Sequence, residues 1–301
     1  MRPDHGIPDA SGPAPEPMMN FRVSCQLDYW LHEPSSFLFA LRCTETGGQQ
    51  VMRESLLITP LQGTEEFSLC GGMNRFTRIR AWQSGPLGIV YEADARVAVE
   101  LLSVACLPMD DPGGVPAEAV PFLFPSRYCE SDRLRQFSFE LFGHLQGSYA
   151  IASAISDWLY QNIAYVSGSS GESCSALDTV NLRRGVCRDF AHLGIALCRA
   201  MSIPARYLSC YAYQLNPPDF HACFEVYLSG WWVVFDGTRL APLNGLVRIA
   251  TGRDAADTAV CTILGNPELH GSQVSCFNTD AEFVPITRDS LAAQHLALAL
   301  L

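Results

Sequence analysis

Residues 184–205, RGVCRDFAHLGIALCRAMSIPA, carry the decisive pattern of this sequence. Phe190, Leu193, Leu197 and Met201 fall at i, i+3, i+7 and i+11, the spacing of a buried helical stripe. Pro204 ends that helix, because proline cannot continue the backbone hydrogen bonding. Cys187 follows Gly185-Val186 and opens the helix, where backbone N–H groups without intrahelical partners and the helix dipole favour an anion. A thiolate is expected there, with Arg183, Arg184 and Arg188 adding to the effect. The ordinary role of a cysteine is that of a small buried hydrophobe, and Cys198, inside the same helix, is read that way.

Downstream lie three strand-like runs, ARYLSCYAYQ (205–214), FHACFEVYL (220–228) and WWVVFDGT (231–238). Helices followed by a set of antiparallel strands make an α+β pattern. Alternation puts His221, Cys223, Glu225 and Tyr227 on one face of the second run. If Ser229-Gly230 is a two-residue hairpin loop, Leu228 faces Trp231 and Asp236 lies opposite Cys223, diagonal to His221. A register slip of two residues keeps the imidazole and carboxylate on one face, whereas a slip of one separates them. A lone histidine at a strand start is usually unremarkable, and aspartate before glycine is usually a turn residue. With Cys187 the two supply what thiol catalysis needs: a nucleophile, a base, and a carboxylate that fixes the base's tautomer. Cys223 shares the face and is read as a small core filler.

Upstream, SDRLRQFSFELFG (131–143) and SYAIASAISDWLYQNI (148–163) have helical spacing, with Ser131 and Ser148 as N-caps. The stretch 166–185 reads as a polar loop. A Pro- and Gly-rich connector occupies 107–126. Before it, 18–106 holds short aromatic and β-branched runs such as FRVSCQLDYWL and GIVYEADARVAVELL, read as an N-terminal β-sandwich. Residues 1–17 are rich in Pro, Gly and Asp and are expected to be a disordered leader, with Met18 or Met19 as an alternative start. Residues 127–301 then form the catalytic domain.

With 48% hydrophobic residues the chain can bury a substantial core. A formal charge of −11 disfavours nucleic acid and anionic lipid as partners. No run reaches the roughly 18 apolar residues of a membrane span, and the first residues lack a signal-peptide core, so a cytoplasmic location is expected. The 12 cysteines are then expected to be thiols. There is no C-x-x-C or H-x-x-x-H pair, so no metal is expected, and no cofactor either.

The segments at 184–215, 219–228 (DFHACFEVYL) and 235–242 (FDGTRLAP), followed by GRDAADTA at 252–259, resemble the core of bacterial transglutaminase-like proteins. The resemblance runs from about Ser126 to Gly265, and the preceding β-region is similar to the N-terminal domain that accompanies this core. It implies a papain-like α+β fold, with Cys187 matching the nucleophile, His221 the base and Asp236 the third member of a triad. It further implies a thiol-dependent amide or peptide hydrolase acting through a thioester on a peptide or protein substrate. A transamidase, or a non-catalytic binding module on the same fold, are the alternatives. This chain has Gly237 where proline often follows the aspartate in the wider superfamily. The backbone N–H of Cys187 is the expected oxyanion donor, and Asn181 is a weak candidate for a side-chain donor.

Overall fold

The computed structural model describes residues 18–69, 74–107 and 114–301; the expected leader, 1–17, lies outside the described residues. Seven strands come first: β1 (Met19–Leu31), β2 (Ser35–Phe39), β3 (Gln49–Thr59), β4 (Thr64–Leu69), β5 (Asn74–Ala81), β6 (Gly85–Val97) and β7 (Val99–Ser103). Along β1, Phe21, Val23, Cys25, Leu27, Tyr29 and Leu31 are buried while the intervening residues are not, the alternation of a half-buried strand. The same period runs through β6, its antiparallel neighbour. Facing β1 across the core are Phe37 and Phe39 of β2, whose stacked rings meet Tyr29.

The remaining elements are α1 (Arg135–Phe142), α2 (Ser148–Asn162), β8 (Ala164–Tyr165), α3 (Ala176–Leu182), β9 (Arg184–Gly185), α4 (Cys187–Ala200), β10 (Ala205–Ala212), β11 (Phe220–Leu228), β12 (Trp231–Phe235), β13 (Leu246–Gly252), α5 (Ala255–Thr258), β14 (Cys261–Leu264), β15 (Pro267–Asn278), α6 (Arg288–Ala293) and β16 (Leu296–Leu300). The fold is α+β, as the order of the sequence patterns predicts. A 6-stranded sheet runs β13-β10-β11-β12-β16-β7, and the two 4-stranded sheets of the sandwich run β15-β1-β6-β3 and β14-β2-β5-β4. No helix among the described residues is long and apolar enough to cross a membrane.

The sheets exchange strands across the connector. β15 pairs with β1 and β14 with β2, completing the sandwich from the C-terminal side, while β7 pairs with β16 and joins the 6-stranded sheet. Backbone hydrogen bonds therefore cross the linear division between 18–106 and 127–301. That large sheet also separates two cores. On one face Ala222, Phe224 and Val226 pack with the helices; on the other Leu208, Cys210 and Cys223 join the interior of the sandwich.

Three local expectations need correction. Arg135 rather than a residue after Ser131 opens α1, with Leu134 at its N-cap; Ser148 is the first helical residue of α2, after Gly147. The stretch expected to be a loop contains α3, capped reciprocally by Ser175 and Asp178. That Ser-x-x-Asp spacing is itself a helix-start signature. Finally, α4 is buried on all sides from Asp189 to Ala200, not along one stripe, because α1, α2 and α3 surround the face that β10 and β11 do not cover.

Candidate active site

Cys187 is the first residue of α4 and is half-buried. The helix start is held from both sides. Asp189 accepts the Val186 amide at 2.8 Å through one carboxylate oxygen and the Ser170 hydroxyl at 2.7 Å through the other. The parallel pair β8–β9 sets Tyr165 beside Gly185, just before the cysteine, and the Tyr165 ring lies 6.0 Å from that of Phe190. Arg183 and Arg188, expected to attend the sulfur, are engaged elsewhere. Arg183 lies over the Trp158 ring at 5.0 Å, and Arg188 donates to Ser170 and to the Gly171 carbonyl.

The distance from α4 to the sheet is set by Gly194. A Cβ at this position would fall 2.6 Å from the Phe224 ring, so only glycine lets the helix rest on β11 at this separation. The Cys187 sulfur comes 4.0 Å from the Phe220 carbonyl oxygen, directly before His221.

The hairpin register follows the two-residue turn. Ser229 and Gly230 take φ of 49° and 93°, and Leu228 pairs with Trp231 and Phe224 with Phe235, which carries Asp236 to the place opposite Cys223. His221 Nε2 meets Asp236 Oδ2 at 2.9 Å with both side chains fully buried. Asp236 Oδ1 accepts the Thr238 amide at 2.8 Å and the Thr238 hydroxyl at 2.7 Å. Thr238 was not singled out from sequence, although Asp-x-Thr is a spacing at which an aspartate bonds the backbone two residues on. Gly237 leaves room for Leu159, whose side chain a Cβ at 237 would meet at 2.9 Å. Proline there would need the same space.

Burial alone would push the His221 imidazole down, but the Asp236 carboxylate outweighs it by charge and hydrogen bond, with the Cys187 thiol adding in the same sense, and holds His221 well above its ordinary 6.5. In the partner the order is parallel. Burial would raise Asp236, and the imidazolium and the Thr238 donors keep it below its ordinary 3.8. With Nε2 committed to Asp236, Nδ1 is buried without a hydrogen-bond partner, and the Cys187 sulfur lies at the residue directly before His221. The three residues singled out from sequence thus come together, in the order sulfur, imidazole, carboxylate.

Other ionisable groups sort differently. His192, five residues after the cysteine, is stacked at 4.9 Å from Tyr128 and 5.2 Å from Tyr207, and burial holds it well below its ordinary value. It accepts the Ala255 amide as a neutral structural ring. Burial pushes the thiol of Cys25 up to about 11 and those of Cys43 and Cys261 up to about 12, as expected of core fillers. Cys223 is likewise buried, beside Cys210, and strongly raised. Donor atoms of His221, Cys223 and Asp236 lie within 4.8 Å of one another, an arrangement already used by the histidine–aspartate hydrogen bond. Asn181 is exposed on α3.

Comparison with known proteins adds the following. The family model for the transglutaminase-like superfamily matches residues 135–237, and that for the bacterial transglutaminase N-terminal domain matches 19–103. The crystal structure of a candidate cysteine protease from Cytophaga hutchinsonii superposes with a TM-score of 0.92 at 44% identity, covering 95% of this chain and 99% of that one. An uncharacterized protein of Mycobacterium leprae is 31% identical over 114 residues, and one of Mycobacterium bovis is 26% identical over 209. The matches span 41% and 63% of those two relatives, less than two thirds of their length.

Proposed function

From the premise that this chain belongs to the transglutaminase-like superfamily, we propose that it is a thiol-dependent amide or peptide hydrolase in which Cys187 is the nucleophile, His221 the acid and base, and Asp236 the residue that orients the imidazole. The observation that carries the reading is the buried 2.9 Å contact between His221 and Asp236, with the Cys187 sulfur 4.0 Å from the Phe220 carbonyl directly before that histidine. A histidine held in one tautomer beside a thiol is the arrangement that moves a proton off sulfur and later onto a leaving amine.

In the first half of the reaction the Cys187 thiolate, whose proton rests on His221, attacks the amide carbonyl carbon. The carbonyl electrons move to oxygen, and collapse of that adduct expels the amine, which takes the proton from the imidazolium. The product is a thioester. Water, deprotonated by the same imidazole, then cleaves it and restores the thiol. Asp236 stabilises the imidazolium throughout, and the favourable direction of both shifts supports that role. Water as the acceptor is supported by the openness of the cysteine's surroundings: Tyr165 and Val166 beside it are exposed, and a crosslinking enzyme needs a second pocket that keeps water from the thioester.

The test is a screen of peptide amides for turnover that Cys187→Ala abolishes, repeated with a primary amine at millimolar concentration. Release of free acid in excess of the amine adduct is expected. An excess of the adduct would make the enzyme a transamidase, and turnover that survives Cys187→Ala would remove the nucleophile assignment.

A further inference from the structure

A pocket of about 220 Å³ opens between the loop at 213–219 and β15. Its walls are mainly apolar, from Ala212, Leu215, Pro218, Val274 and Phe277; its one carboxylate is Asp219, and no arginine lines it. Asp219 is bonded directly to Phe220, whose carbonyl oxygen lies 4.0 Å from the Cys187 sulfur. A group held by Asp219 therefore sits within a long side chain's reach of the reacting carbon. Oδ1 accepts the Phe220 amide at 2.8 Å, which fixes the carboxylate at the start of β11. Asp219 enters no ion pair among the described residues, and its other oxygen is left for a ligand. Although the residue is exposed, burial of the carboxylate against these walls holds it above the ordinary 3.8, and the Phe220 amide and the His221 imidazolium offset only part of that. A second pocket, of about 360 Å³ beside Asp236, holds Arg239 and Arg288, but there Asp157 and Asp289 already match the guanidiniums.

Resting on the acyl-transfer role of Cys187, we propose that this pocket is a subsite for a substrate lysine and that Asp219 selects it, the aliphatic stem lying along the apolar walls and the ammonium donating to the free oxygen of Asp219. The lysine belongs to the half of the substrate that stays on sulfur in the thioester, within two residues of the scissile amide. That half must remain held until water arrives. The lysine gives no atom to the reaction. An apolar sleeve with a carboxylate suits a charged head on a hydrocarbon stem better than it suits an anion or a short polar side chain. Two observations choose lysine over arginine. With Oδ1 occupied, Asp219 presents a single acceptor, which suits a compact ammonium, whereas a guanidinium gains its advantage from two parallel hydrogen bonds. All 20 basic side chains of this chain are arginines, although lysine is ordinarily among the commonest residues. A site selective for lysine finds no position to act on in other copies of this chain, and a site selective for arginine would find many.

Acetylated dipeptide chloromethyl ketones, built from alanine and one variable residue, test the subsite. The Cys187 sulfur displaces chloride at the methylene carbon: a sulfur–carbon bond forms, the carbon–chlorine bond breaks and chloride leaves. The variable residue is lysine, arginine, norleucine or glutamate, placed next to the ketone or one residue before it, and peptide mapping identifies the modified cysteine. The acetyl group removes the free α-amine, so a charge preference belongs to the side chain. Lysine at one of the two positions is expected to modify Cys187 roughly tenfold or more faster than norleucine, which keeps the stem without the charge; that is the weight of one charge-assisted hydrogen bond. Arginine should fall between them. Asp219→Asn is expected to abolish the ratio of lysine to norleucine rates, and Asp219→Lys, which sets like charges together, to turn the preference toward glutamate. Equal rates for lysine and norleucine, a preference for arginine, or a lysine preference that survives Asp219→Asn would each overturn the subsite. The last result would trace the preference to the overall charge of −11, which that variant hardly alters. Modification of another cysteine in place of Cys187, or of none by any probe, is a failure of the nucleophile assignment and takes the subsite with it.

Discussion

Asp236 meets His221 and Thr238 through its carboxylate oxygens, and its effect on both pH dependence and rate follows from those contacts. His221 is raised in the folded state, so the stability it contributes is fully present below the ordinary value of 6.5 and is lost as pH rises through the raised folded value. Asp236 is lowered, so its contribution is present above the ordinary 3.8 and is lost as pH falls through the lowered one. Both contributions are therefore complete between the ordinary values of 3.8 and 6.5, and each is lost outside that window, toward its own displaced value. Asp236→Asn is expected to cut kcat/KM by roughly ten-thousandfold, the scale seen when an orienting carboxylate is replaced by an amide. It also removes the charge that holds the proton on His221, so the alkaline limb of the kcat/KM profile should move down toward 6.5. A limb that stays in place in this variant would show that another group sets it.

At the scale of elements, the approach of α4 to β11 decides whether sulfur and imidazole meet. Gly194 faces β11, and a Cβ there would lie 2.6 Å from the Phe224 ring. Gly194→Ala must lift the helix or turn the ring, and overpacking of this kind costs about 1–3 kcal/mol. Activity should fall by more than stability, because the same displacement draws Cys187 away from His221. Combining it with Phe224→Leu, which empties the space opposite, should restore part of both. Thermal unfolding and turnover of the two variants measure the effect, and a double variant no better than the single one would place the strain elsewhere.

Across the whole molecule, the active-site sheet and the sandwich form a continuous interior, and a buried ionic trio lies on their shared side. Glu225 binds Arg206 at 2.6 Å and Arg248 at 2.5 Å, and the backbone of Arg248 is clamped by Gln49 of β3 at 2.8 Å. Arg206 also lies 4.0 Å over the Trp232 ring. Removing the shared anion leaves two buried guanidiniums unpaired, a loss of about 3–5 kcal/mol for a buried network of this type. Glu225→Gln is therefore expected to shift urea unfolding by that amount. Because β7, β14 and β15 cross between the sheets, loss of Cys187 reactivity and loss of circular dichroism should coincide in a single transition, in the parent and in the variant. Two separated transitions would mean that the halves unfold independently despite the exchange.

What the sequence determined by itself rests on short-range physics. Apolar spacing marked α2 and α4, aromatic and β-branched runs marked β1 and β6, and a two-residue turn at Ser229-Gly230, once formed, implied the register that puts Asp236 on the His221 side of the hairpin. The order of Cys187, His221 and Asp236 in a family-like context was legible for the same reason. Only the tertiary structure decided the contacts made by residues far apart in sequence. That α4 is buried all round, that Arg183 turns to Trp158 instead of the sulfur, that Tyr165 pairs beside Gly185, and that β14 and β15 complete the opposite sandwich depend on which surfaces meet once the chain is compact. No local pattern encodes these partners, because an edge strand or a cation can satisfy its bonds equally well with any neighbour that the fold brings near.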